Sequence, residues 1–77
     1  MPEDKEGIYS VVLFHSVSGA LRAERLIKEA GITCKLIPVP RHLSSDCGLC
    51  LRFRTEDEER IREVLKDKVE VKAICPL

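Results

Sequence analysis

The chain has 77 residues, room for one domain. Its 13 Lys and Arg balance 13 Asp and Glu, so it lacks the basic excess that a general nucleic-acid binder uses to release phosphate counterions. Hydrophobic residues at 44% and charged residues at 34% suit a globular domain rather than a disordered one, and the longest apolar run, residues 11–14, is far short of the ~20 that span a bilayer. No nucleic-acid or membrane partner is therefore expected. The start of the chain is acidic and polar, unlike a secretory signal, which points to a cytoplasmic location.

Residues 1–7 read as a flexible N-terminal tail, and residues 8–77 as a single domain. Residues 8–14 form a β-rich run, apolar on both faces, as a central strand requires. Ser16 or Ser18 can cap the next element, a helix whose apolar stripe is Ala20, Ala23, Leu26, Ile27 and Ala30. Arg22, Arg25, Lys28 and Glu29 fall on its other side, and Gly31 ends it. In residues 32–39, Ile32, Cys34 and Leu36 alternate with Thr33, Lys35 and Ile37, a half-buried strand closed by Pro38 and Pro40. Residues 41–48 read as a polar loop. A third strand follows, with Leu49, Leu51 and Phe53 alternating with Cys50, Arg52 and Arg54. Thr55 with Glu58 matches a capping box for a second helix bearing Ile61, Val64 and Leu65. Val69, Val71 and Ala73 then alternate with Glu70, Lys72 and Ile74 as a fourth strand.

This order predicts an α+β fold: a ferredoxin-like βαββαβ sandwich, with a four-stranded antiparallel sheet and two helices on one face. The other face should carry Ile37, Ile74, Cys50, Arg52, Arg54 and one set of first-strand residues. That aliphatic area invites a homodimer through the open sheet face.

The chemistry-bearing segment runs from Pro38 through Arg41, His42, Cys47 and Gly48 to Cys50. Two prolines stiffen its start, and Gly48 allows a backbone turn that a β-carbon would forbid. Cys47 ends the loop just before a strand, where a thiol can be exposed yet held by rigid elements. Arg41 and His42 would favour its thiolate; Asp46 would oppose them. A loop cysteine without a role explains the same residue. Cys47-Gly48-Leu49-Cys50 also fits C-x-x-C, but redox pairs of that kind open a helix, and Cys50 lies in a strand pattern. A zinc site would need a second pair or spaced histidines; Cys34, Cys75, His15 and His42 do not supply that spacing, so no metal or cofactor is expected. Cys34 reads as core packing and Cys75 as incidental. His15 beside Ser16 and Ser18 could meet a ligand at the first helix, though capping explains the serines equally.

The successive patterns Phe14-His15-Ser16, Ala20-Leu21-Arg22-Ala23-Glu24, Pro38-Val39-Pro40-Arg41 and Ser44-Ser45-Asp46-Cys47-Gly48 resemble a family of small prokaryotic proteins. It is the selenium/sulfur carrier protein-like family, long catalogued as a domain of unknown function. The resemblance covers roughly residues 8–73, and Pro-x-Pro-Arg…Ser-x-x-Cys-Gly is its most specific part. It implies a carrier with a persulfide or selenopersulfide on Cys47, working between sulfur or selenium donor and acceptor proteins. Cys50 departs from the family pattern, which has a small apolar residue there. It is either a neutral replacement or a resolving thiol.

Three readings remain open. In the first, Cys47 carries cargo, Arg41 and His42 stabilise the anionic sulfur, and Gly48 supports the loop. In the second, Cys47 and Cys50 act as a dithiol redox pair. In the third, the domain is a non-catalytic regulatory or interaction module. A carrier or binding protein is expected ahead of an enzyme, because no general acid–base set is visible.

Overall fold

A computed structural model describes residues 8–43 and 48–77. The tail expected over residues 1–7 and the proposed cargo thiol, Cys47, lie outside the described residues. The elements are strand β1 (Tyr9–Phe14), helix α1 (Val17–Glu29), strands β2 (Cys34–Pro38) and β3 (Leu49–Arg54), helix α2 (Glu58–Leu65) and strand β4 (Val71–Pro76). All pairings are antiparallel and the strand order is β2-β3-β1-β4, the order of a split βαβ sandwich. No helix among the described residues is long and apolar enough to cross a membrane.

β1 is central because it can bury both faces. Val12 and Phe14 join Ala20, Ala23 and Ile27 of α1 and Ile61 and Leu65 of α2 in the main core. Val11 and Leu13, on the opposite face, form a second buried cluster with Cys50. Leu51 and Phe53 of β3 and Cys34 of β2 point to the helices, as their alternation predicts.

Helix ends follow local chemistry. Ser16 caps α1, its Oγ accepting from the Gly19 N–H at 3.1 Å. That cap starts the helix three residues before the first residue of the expected apolar stripe. At the other end Gly31 adopts φ +82°, where the Ile32 N–H reaches the Ile27 carbonyl and the Gly31 N–H the Lys28 carbonyl. This is a Schellman closure, sealed by the burial of Ile27 and Ile32.

Two expectations are corrected. The Thr55–Glu58 capping box does not form, because both side chains are engaged elsewhere. The Thr55 hydroxyl bonds the buried Ser10 hydroxyl at 2.8 Å, and one Glu58 oxygen takes two hydrogen bonds from Arg62. A short 3-10 turn, Thr55–Asp57, leads into α2 instead. Ile74, expected on the open face, packs into the helix-side core. A β-bulge is the reason: Leu13 faces Ala73 and Phe14 faces Val71, so one step along β1 spans two along β4. Val71 and Ile74 thereby share a face that strict alternation would deny them, and Ala73 and Cys75 take the other.

Leu51 is fully buried, whereas its neighbour Arg52 lies across the Tyr9 ring, 4.5 Å from the centroid. Leu51→Ala is expected to cost about 2–5 kcal/mol, and Arg52→Ala less than about 1 kcal/mol. Urea unfolding would separate the two; equal midpoints would contradict this packing.

Candidate functional site

The segment between β2 and β3 is built on a closed neck. The Pro38–Leu49 pair ends the ladder, and one step further the Val39 N–H donates to the Gly48 carbonyl at 3.0 Å. Gly48 has φ +77°, a left-handed conformation that side chains resist. Its bare α-carbon thus allows the chain to leave the loop and enter β3 in register. Beyond the neck, the Leu43 N–H donates to the Pro40 carbonyl at 3.0 Å, closing a turn with Arg41 and His42 at its two corners. Both corner side chains are exposed.

Leu43 fixes this turn to the molecule. With Val39 and Ile37 it packs against Val11, Leu13 and Cys50, on the sheet face that the helices leave uncovered. No role for Leu43 is expected from the polar-loop pattern, although an aliphatic residue in an otherwise polar loop is the available signal. This cover also alters the open face: Val11 and Cys50 have no exposure and Leu13 has 4%. The aliphatic area expected to support a homodimer is therefore largely covered within the chain itself.

The described cysteines have distinct environments. Cys34 is buried in the main core. Burial raises its thiol pKa above the ordinary 9.0; nearby Lys28 opposes the rise and Glu24 adds to it. Cys50 is fully buried in the second cluster, with its Sγ 3.9 Å from the Pro38 carbonyl oxygen. Cys75 is half-buried on β4. Of the residues expected to serve the cargo thiol, the structure sets Gly48 at the neck and Arg41 and His42 on the turn. Their relation to Cys47 lies outside the described residues.

Fold and loop together define the class: a small α+β split βαβ domain with a cysteine-bearing connection between β2 and β3. The chain belongs to the family described as "Putative Se/S carrier protein-like", whose model matches residues 9–76. It is also similar to the "Uncharacterized protein YtiA" of Escherichia coli (strain K12), with 34% identity over 53 residues. That stretch is 69% of this chain and 62% of the relative, so the chain spans less than two thirds of the relative's length. No solved structure matches the chain.

Two outcomes are expected from these environments. Gly48→Ala should lose about 1–2 kcal/mol of stability from backbone strain, since among the described residues nothing lies within 4 Å of an added β-carbon. Urea midpoints would measure it. Cys34 should make the fold sensitive to alkali. The unfolded chain ionises this thiol near its ordinary pKa, while the folded chain retains the proton to higher pH. Its contribution is therefore full below the ordinary value of 9.0 and declines as pH rises through the raised one. Midpoints recorded across the alkaline range should fall less steeply for Cys34→Ala than for the wild type.

Proposed function

We propose that the protein is a carrier that holds sulfur or selenium as a persulfide or selenopersulfide on Cys47. The observation that carries this reading is the closed neck. Gly48, bonded directly to Cys47 in the chain, is tied to Val39 at the base of a loop that Leu43 anchors to the sheet. Such a stem suits a thiol that must meet other proteins without disturbing the fold. Family membership supports the cargo chemistry.

Transfer needs only a nucleophile. The Cys47 thiolate attacks the outer sulfur of a donor protein's persulfide and forms a new S–S bond. The donor's own S–S bond breaks, and its cysteine leaves as a thiolate with the electron pair. The exchange is redox-neutral and repeats in the opposite sense on the acceptor. Selenium follows the same path. Arg41, and His42 when protonated, would favour both the attacking thiolate and the anionic persulfide. Donor and acceptor proteins are the partners, and the cytoplasm is the proposed location. Burial of Cys50 favours this reading over the Cys47/Cys50 dithiol, because exchange requires access to the attacked sulfur.

Incubation with a cysteine desulfurase and labelled cysteine, followed by intact mass, tests the proposal. The wild type should gain one sulfur atom, Cys47→Ser should not, and Cys75→Ser should behave as wild type. A gain that survives Cys47→Ser would overturn the assignment. Loss of two protons under mild oxidant, without sulfur gain, would favour the dithiol. Neither change would leave the interaction module. Brief iodoacetamide treatment should also label Cys47 ahead of Cys34, whose raised pKa and burial suppress its reactivity.

A further inference from the structure

A cleft of about 620 Å³ opens where β1 runs into α1 and where the turn after α2 runs into β4. Three cations line it from two separate elements: Arg22 and Arg25 on α1, and Lys68 on the turn. The cleft also holds one carboxylate, Glu70, which faces His15 at 3.8 Å. Among the described residues none of the three cations has a carboxylate within ion-pair distance. Lys28, Arg54, Arg60 and Arg62 each do. In a chain of net charge zero, the cleft thus carries three Lys and Arg cations against one carboxylate. Arg22 and Arg25 are three residues apart on one helix, so their mutual repulsion opposes folding unless an anion relieves it.

We propose that this cleft binds a small molecule bearing a phosphate-class oxyanion. The guanidinium groups of Arg22 and Arg25 present planar donor forks that match phosphate oxygens, and the Lys68 ammonium closes on the anion from the opposite element. The volume lies within the range of small-molecule sites, and Leu21 and Val69 provide an apolar wall for the rest of the ligand. Leu21 is 50% exposed, whereas Ala20, Ala23 and Ile27 of the same helix are buried in the core. The geometry of the turn holds Lys68 in place. Asp67 adopts φ +62°, and the Lys68 and Val69 N–H groups both donate to the Leu65 carbonyl. The amino end of α1 adds to the positive field, but the cation set from two elements carries the assignment. The cleft would bind its ligand whether or not Cys47 carries cargo.

Amide ¹⁵N–¹H shifts, followed while inorganic phosphate and then pyrophosphate are titrated at constant ionic strength, test it. Saturable shifts should be confined to residues 15–25 and 68–70. The double variant Arg22→Gln/Arg25→Gln should bind about tenfold or more weakly, with its spectrum otherwise unchanged. Lys35→Gln, which removes a cation from β2, should bind as wild type. Absence of saturable shifts with both anions would overturn the proposal, as would unchanged affinity in the double variant. Shifts at these residues with oligoglutamate, but with neither phosphate nor pyrophosphate, would overturn it in favour of an acidic protein partner.

Discussion

The structure depends on β1 being buried on both sides. Val11, Val12, Leu13 and Phe14 are each at most 4% exposed, and alternate residues feed two different cores. A shift of one residue in register would exchange those sets and misfit both cores at once, placing Val11 and Leu13 where Val12 and Phe14 pack. β3 and β4 flank this strand, and the helices cover one face with Ala20, Ala23, Ile27, Ile61 and Leu65. Ser10 adds a polar tie at the start of the strand, bonding Thr55 as the chain turns from β3 toward α2. Its hydroxyl is a buried polar group within an otherwise apolar strand, so this hydrogen bond also offsets its desolvation.

That register divides the molecule into two ends. Leu13 pairs with Cys50 and Phe14 with Val71, so β1 finishes where β3 begins and where β4 begins. The Val39–Gly48 neck, the start of α1 and the turn after α2 therefore occupy the same end of the sheet. The Tyr9–Arg52 stack and the Ser10–Thr55 bond mark the opposite end. The Val39–Gly48 neck and the cationic cleft thus share one end through strand pairing, although their residues are far apart in sequence.

Where interactions are local, they were legible in the sequence. The Ser16 cap, the Gly31 stop and the inward alternation of Cys34, Leu51 and Phe53 each depend on neighbouring residues, and each takes the expected form. The failures involve partners distant along the chain. Thr55 found Ser10, 45 residues away, instead of capping the nearby helix. Ile74 changed face because of a bulge set by pairing with β1, which strand periodicity cannot report. Within the candidate site, Gly48 was legible as turn chemistry, and Arg41 and His42 as charged members of a polar loop. The anchoring by Leu43 was not, since it requires knowing that the loop folds back over Val11 and Leu13. Arg22 and Arg25 were legible only as residues on the side of the helix away from its apolar stripe: Lys68, which gives them a shared cleft, lies more than forty residues later.

The outer strands have a consequence for how other proteins approach. β2 and β4 form the two edges of the sheet, and each has proline as its last residue, Pro38 and Pro76. Each also carries an exposed lysine, Lys35 or Lys72, and β4 is further distorted by its bulge. Missing N–H donors, edge lysines and bulges all discourage the growth of a sheet across a molecular boundary. A visiting protein is thereby steered away from strand addition. It must engage loops and side chains, through contacts that can form and dissolve without reordering the backbone of either molecule.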